Sequence, residues 1–113
     1  MRRELFQADH DDFRGVVRRF IEQEVAPHHE RWEQQGIVDR DVYQKGAQQG
    51  LLGFSVPEQY GGQGIRDFRF NAVVTEEFAR SGYTGPFFPL QNDILAPYLT
   101  DLTDDDQKQR WLP

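Results

Sequence analysis

Apolar residues recur at spacings of three and four positions between residues 13 and 25. This spacing places their side chains on one side of a helix, so the pattern predicts an amphipathic helix that buries that side. Asp9 is the expected N-cap, and Pro27 is expected to end or kink the helix, or to open a short second helix that stops at Gly36. The apolar side of the helix carries Phe13, Val16, Val17, Phe20, Ile21 and Val25.

Two more helices follow in the middle of the chain. The segment 39–49 predicts a helix with Val42, Tyr43 and Ala47 turned inward. Residues 51–65 are rich in glycine and contain Pro57, which predicts irregular structure. The next helix is expected to end at Ser81-Gly82. Its apolar stripe consists of Phe70, Val73, Val74, Glu77 and Phe78.

Proline and acidic residues mark the helices of the last third. Pro86 is expected in the first turn of a helix that runs to about Leu99. Thr103 is the expected N-cap of a final short helix, whose first turn holds the acidic residues 104–106. No pattern typical of a strand exceeds four residues. The sequence therefore predicts an all-α fold, a bundle of five or six helices with short connections.

Composition narrows the classes of partner. The 113 residues suffice for one small domain, and the net charge of −6 disfavours nucleic acid and anionic membrane surfaces as partners. The absence of cysteine excludes disulfides and thiolate chemistry. No apolar stretch approaches the roughly 20 residues that cross a bilayer, and the amino terminus lacks the apolar segment of a signal peptide. A cytoplasmic protein without membrane insertion is expected.

Two groups of residues suggest phosphate or metal binding at first sight. The glycine-rich segment 60–64 lacks the preceding strand and the lysine of phosphate-binding loops, so a structural loop is favoured. His28 and His29 are adjacent and would diverge by about 100° on a helix. No Glu-x-x-His pair occurs, which disfavours a di-iron bundle. We interpret the three histidines, which include His10, as capping or solvated residues and expect no metal site.

Glu76 and Glu77 are the candidates for acid–base chemistry. Paired carboxylates are useful to an enzyme when burial separates their pKa values, but neighbouring helix residues point in different directions. Glu77 lies on the apolar stripe and is the one expected to be buried, with a role in hydrogen bonding favoured over catalysis.

The segment 87–96 carries an apolar band wider than a single small core requires. The band consists of Phe87, Phe88, Leu90, Ile94 and Leu95. It fits either an ordinary central helix or an apolar wall that lines a pocket or contacts another domain.

Several short motifs occur in one order along nearly the whole chain. They are Val25-Ala26-Pro27-His28, Gly50-Leu51-Leu52-Gly53, Val56-Pro57-Glu58-Gln59-Tyr60-Gly61-Gly62-Gln63-Gly64, Thr75-Glu76-Glu77, Gly85-Pro86 and Gln107-Lys108-Gln109-Arg110-Trp111-Leu112-Pro113. Together they resemble the amino-terminal helical domain of the acyl-CoA dehydrogenases, with the long-chain branch as the nearest pattern. The resemblance extends from about residue 6 to residue 113.

The resemblance implies that residues 1–113 form the first domain of a longer enzyme. The family adds a middle β-domain and a carboxy-terminal helical domain, both absent from this sequence, and commonly assembles as a tetramer. Its chemistry is the FAD-dependent α,β-dehydrogenation of fatty acyl-CoA, with transfer of electrons to a separate acceptor. The family's glutamate base and most FAD contacts lie in the later domains. No catalytic or cofactor-binding residue is therefore expected here, and the chain alone is expected to be inactive and not to hold FAD.

By the same resemblance, four residues are expected to line the acyl-chain tunnel. They are Phe87, Phe88, Gln91 and Leu95. The Gly-Pro-Gly of long-chain members is Gly85-Pro86-Phe87 here, so the ring of Phe87 is expected to narrow or shorten the tunnel. Two alternatives stay open: the same domain from an acyl-CoA oxidase or flavin monooxygenase relative, and a free-standing helical interaction module without catalysis.

Overall fold

The computed structural model describes residues 4–113, and this part of the chain is helical, without strands. Two π-helical segments occur at Ile21–Val25 and Leu90–Leu95, and two 3₁₀ turns at Ala26–His28 and Glu58–Tyr60. The all-α prediction is confirmed. The α-helices of the described residues are α1 (Ala8–Phe20), α2 (His29–Gln35), α3 (Arg40–Gln48), α4 (Phe68–Ser81), α5 (Ala96–Leu102) and α6 (Asp105–Trp111).

The core forms where α1 and α4 pack together and α3 and the residue Phe88 close over them. The apolar positions expected to face inward on α1 and α4 do so, although Phe13, Val16 and Phe70 are only half-buried. Removing this apolar surface from water is the main stabilising contribution, about 25 cal/mol per Å². The buried cluster contains Val17, Phe20, Ile21, Val25, Trp32, Val42, Leu51, Phe54, Val73, Val74, Phe78 and Phe88.

The N-terminus of α1 differs from the expectation. Gln7, not Asp9, is the N-cap, and its backbone N–H donates to Nδ1 of His10 at 2.9 Å. Nε2 of His10 therefore carries the proton and donates to Asp67, the N-cap of α4, at 2.9 Å. His10 is thus a capping residue, as interpreted from the sequence, but it is fully buried and joins the starts of two helices.

Asp67 carries the charge of this junction. Its carboxylate accepts hydrogen bonds from the side chain and backbone of Arg69 and from His10, and these contacts hold the pKa of Asp67 well below its usual range. An anionic group at the first turn of α4 also complements the dipole of that helix.

The last third of the chain differs from the sequence prediction at both ends. The helical segment begins at Phe88, after a turn at residues 85–86, because Phe87 adopts a left-handed backbone with φ of 50° and cannot continue a right-handed helix. It passes through the π-helical segment into α5 and ends at Leu102.

Asp104, not Thr103, is the N-cap of α6 and accepts from the backbone N–H of Gln107. The hydroxyl of Thr103 instead donates to the carbonyl of Leu99.

Candidate functional site

A cleft of about 530 Å³ lies between α3 and the helical segment 90–102. The residues that end the described chain, 111–113, lie along one side of it. Its lining is mostly apolar, as is usual for sites that take small molecules. The lining consists of Arg40, Tyr43, Gln44, Ala47, Leu52, Gly53, Val56, Gln91, Leu95, Ala96, Leu99, Trp111, Leu112 and Pro113.

The four residues expected to line an acyl tunnel are not brought together. Gln91 and Leu95 line the cleft, one helical turn apart. Phe87 lies outside it and is 54% exposed. Phe88 is fully buried, with its ring against those of Phe20, Tyr43 and Phe78, and it does not line the cleft. Its ring fills the core because the helix begins at this residue and turns the side chain inward.

The wide apolar band predicted for this segment is present on the surface. Phe87, Leu90, Ile94 and Leu95 are each between 44% and 60% exposed, and Tyr98 and Leu102 extend the band along α5. Contiguous apolar surface of this kind marks an interface or a ligand wall in soluble proteins. Only Phe88 among the predicted members of the band belongs to the core.

A buried amide, which no local sequence pattern predicted, connects the two walls of the cleft. Asn92 is 2% exposed, although it lies in the π-helical segment next to Gln91. Its Oδ1 accepts from the backbone N–H of Gly53 at 3.0 Å, and its Nδ2 donates to the carbonyl of Leu51 at 2.8 Å. These partners are 39 and 41 residues away in the chain, so local patterns could not reveal them.

The glycine-rich loop does not offer a cradle for phosphate. The N–H groups of Gly61, Gly62 and Gly64 donate to backbone carbonyls of residues 56–58. These donors are therefore used within the loop and are not available to a phosphate. Gly62 is needed for packing, since a Cβ there would overlap the carbonyl oxygen of Val56. The loop therefore does not fit the pyrophosphate of a dinucleotide cofactor.

Glu77 is buried, as expected, and two arginines of α1 neutralise it. Arg14 donates to its carboxylate at 3.0 Å, and Arg18 donates to both carboxylate oxygens, also at 3.0 Å. Burial alone would raise the pKa of Glu77, but the hydrogen bonds and charges of Arg18 and Arg14 outweigh it and lower the pKa. A carboxylate held in this way is a poor general base, because it is stabilised in its ionised form.

A larger depression, of about 650 Å³, lies beside α2 and shares only Arg40 and Tyr43 with the cleft. Its histidine, His29, contacts the ring of Tyr83 and lies 3.7 Å from the carboxylate of Glu33. Within residues 4–113, no three histidine, aspartate or glutamate side chains come together in a way that would hold a metal ion. We place the candidate site in the cleft, where Gln91 and Leu95 meet the Gly50–Gly53 motif.

Comparison with known proteins identifies the class to which this helical domain belongs. The model of a family described as "Acyl-CoA dehydrogenase, N-terminal domain" matches residues 7–113. The chain therefore belongs to the acyl-CoA dehydrogenase family and represents its amino-terminal domain. The relation predicted from the ordered motifs is confirmed.

Three relatives illustrate the range of similarity. The chain is 43% identical over 111 residues to the mitochondrial long-chain specific acyl-CoA dehydrogenase of Mus musculus, covering 98% of this chain and 26% of that protein. It is 31% identical to a 3-(aryl)acrylate reductase of Clostridium sporogenes, covering 96% of this chain and 29% of that protein. The crystal structure of an acyl-CoA dehydrogenase from Geobacillus kaustophilus superposes with a TM-score of 0.88 at 36% identity, covering 97% and 29% of the two chains.

The chain spans about a quarter of the length of the curated relatives it matches. Residues 4–113 contain no helix with the length and apolar character needed to cross a membrane.

Proposed function

We propose that this chain is the first domain of an FAD-dependent acyl-CoA dehydrogenase that removes two hydrogens from the α and β carbons of a fatty acyl-CoA. The observation that carries the proposal is 43% identity to a long-chain specific acyl-CoA dehydrogenase across almost the whole chain. The reductase relative is similar over nearly the whole chain, at 31% identity, and has a different named activity, so the similarity of this domain alone does not define the substrate.

The domain's proposed contribution is an apolar wall for the acyl chain. Gln91 and Leu95 line a cleft whose other side carries Leu52 and Gly53, and Phe87 lies exposed at the start of the same helical segment. A fatty acyl chain would be stabilised on such a surface by about 0.8 kcal/mol for each methylene removed from water. Phe88 supports this wall from the core, beneath the residues that face outward.

Neither the base nor the cofactor site is proposed within these residues. Glu77, the buried carboxylate, is held ionised by Arg14 and Arg18, so it does not supply a base. FAD, when bound to the whole enzyme, would accept the hydride from the β carbon. The N–H groups of the glycine-rich loop here are bonded within the loop, so the loop would not hold the cofactor. Groups outside this chain would therefore take the α-proton and hold the flavin. We also propose an electron-transfer acceptor, a homotetramer and a cytoplasmic location for the whole protein.

The test is an assay of the full-length gene product with acyl-CoA substrates from octanoyl-CoA to stearoyl-CoA. A dehydrogenase is expected to reduce an artificial electron acceptor and to form the trans-2-enoyl-CoA, with little consumption of oxygen. Formation of hydrogen peroxide in step with the enoyl product would indicate an oxidase instead. A gene product without bound flavin and without turnover would support the interaction-module alternative and refute the proposal.

A further inference from the structure

Asn92 occupies a position where only an amide completes the hydrogen bonding. The backbone carbonyl of Leu51 and the backbone N–H of Gly53 flank Leu52, and the side chain of Asn92 supplies one donor and one acceptor to match them. An aspartate would supply no donor while ionised, and a leucine would supply neither group. A buried polar group left without a partner is costly, so the site selects strongly for the amide.

The residues on either side of this contact line the cleft. Leu52 and Gly53 belong to one wall, while Gln91 and Leu95 belong to the wall on the helical segment. Asn92 is not part of the cleft lining but connects the two walls beneath it, because it follows Gln91 in the chain and its side chain bonds to the residues that flank Leu52. Its two hydrogen bonds therefore fix how far apart the two walls stand.

Asn92 is itself held from behind. The side chain of Asn71, on α4, donates to Asp93 at 2.7 Å and to the carbonyl of Asn92 at 3.5 Å. Asn71 is 6% exposed, so this second amide is also buried. The irregular, π-helical backbone of residues 90–95 is thus braced on both sides. Such segments are frequent at functional sites, where they redirect side chains.

We propose that Asn92 is a positioning residue that sets the separation of the cleft walls and so the length of acyl chain that the cleft accepts. The inference rests on the proposed function of the cleft. Asn92 would not touch the ligand, because it is buried and does not line the cleft. Its effect would pass through Leu52, Gly53, Gln91 and Leu95, which do line the cleft.

The first measurement concerns the contact itself, in the 113-residue chain. Amide hydrogen exchange of Gly53 is followed by NMR in the wild type, in Asn92→Asp and in Asn92→Leu. We expect Gly53 to exchange about five- to tenfold faster in Asn92→Leu, which lacks the acceptor, and to stay slow in Asn92→Asp, which keeps it. Equal exchange in all three proteins would show that Asn92 does not hold this wall.

The second measurement concerns selectivity. Octanoate, dodecanoate and hexadecanoate are titrated into each protein, with the fluorescence of Trp111 as the readout, since Trp111 lines the cleft. A Trp32→Phe background removes the signal of the other tryptophan. We expect the ratio of the hexadecanoate and octanoate affinities to change by about fourfold or more in Asn92→Leu, the effect of at least one methylene. An unchanged ratio in a folded variant would overturn the inference.

A matched control separates positioning from general loss of stability. Val74→Ala opens the core on α4 at a residue that is 1% exposed and does not line the cleft. It is expected to lower stability but to leave the affinity ratio unchanged, and an equal shift in Val74→Ala would refute a specific role for Asn92.

If Asn92→Leu does not fold, the affinity ratio is measured in Asn92→Asp instead. As the pH falls, its protonated carboxyl can again donate to Leu51, so its affinity ratio is expected to return toward that of the wild type.

The two proposals fail in distinguishable ways. If the wild-type chain binds none of the three fatty acids, the proposed function of the cleft fails, and the inferred selectivity with it. If the wild type binds them and the ratio does not respond to Asn92, only the inference fails. The exchange of Gly53 reports on the wall contact in either case.

Discussion

The ring of Phe88 packs directly over Gly46, where a Cβ atom would lie 2.7 Å from both Cε2 and Cζ of the ring. This contact joins α3 to the helical segment that carries Gln91 and Leu95. We expect Gly46→Ala to lower the free energy of unfolding by about 1–3 kcal/mol, because the added methyl group overpacks the core and displaces the ring. Urea denaturation followed by circular dichroism measures the change.

Gly15 provides the control for this substitution. It lies within α1, and a Cβ there would meet only the far end of Arg19, at 3.7 Å. We expect Gly15→Ala to raise stability by up to about 1 kcal/mol, the usual gain of alanine over glycine inside a helix. If Gly46→Ala also raises stability, then the contact between Phe88 and Gly46 is not a constraint on the fold.

Local patterns predicted the helices in which apolar residues recur at regular spacing. The apolar stripes of α1 and α4 and the glycine-rich segment 51–65 could be read from the sequence because spacing and turn residues act over a few positions. The ordered motifs also led to the family and so to the architecture. These features depend on neighbours in the chain, which is the information that a single sequence contains.

The features that were missed depend on contacts between distant residues. The hydrogen bond between His10 and Asp67 joins residues 57 positions apart, and the contacts of Asn92 span about 40 positions. Pro86 suggested a helix start by its usual preference, but the left-handed backbone of Phe87 delays it. In the same way, Phe88 and Leu95 looked alike in the sequence, whereas packing buries one and exposes the other.

Glu77 predicts a specific pH dependence of stability. Its pKa in the folded chain lies below its ordinary value of 4.5, so the unfolded chain binds a proton more readily. The stabilisation from its carboxylate is therefore complete above about pH 4.5 and is lost as the pH falls through the folded pKa. We expect Glu77→Gln to cost about 2 kcal/mol at neutral pH, since it weakens hydrogen bonds from two charged groups.

Denaturation curves measured across the acid range test this expectation. The difference between wild type and Glu77→Gln should shrink as the pH falls below about 4.5. Glu76→Gln is the control, because Glu76 is 34% exposed and its ion pair with Arg14, at 3.2 Å, should contribute less than about 1 kcal/mol. A difference for Glu77→Gln that stays constant with pH would mean that the carboxylate charge is not what stabilises α1 against α4.

The isolated chain is expected to show neither turnover nor tight binding of FAD. Without a positioned base, removal of the α-proton loses an acid–base contribution of about 10²–10⁴-fold together with its electrostatic setting. The acidic surface and the internally bonded loop also give the pyrophosphate no site. Purification in the presence of FAD, followed by gel filtration and an acceptor assay, checks both expectations. A yellow protein, or one that oxidises acyl-CoA, would contradict them.

Phe87 adopts a backbone conformation that suits glycine. Its φ of 50° is strained for a bulky residue, and the resemblance to long-chain members places glycine at this position. Because Phe87 precedes the helix, Phe87→Gly introduces no glycine into the helical segment. We expect it to raise the free energy of unfolding by about 1 kcal/mol, as the relief of strain outweighs the added freedom of the unfolded chain. Phe87→Ala keeps the strain and should give no such gain.

The same pair of variants tests whether Phe87 limits the acyl chain in the full-length enzyme. The exposed ring lies at the start of the proposed acyl wall, and its removal should make room for longer substrates. Each methylene newly accommodated would contribute about 0.8 kcal/mol, which is close to fourfold in kcat/KM. We therefore expect both Phe87→Gly and Phe87→Ala to shift the optimum between octanoyl-CoA and stearoyl-CoA toward longer chains. A shift in Phe87→Gly alone would point to the backbone as the cause. If both folded variants keep the wild-type profile, then the ring of Phe87 does not bound the acyl site.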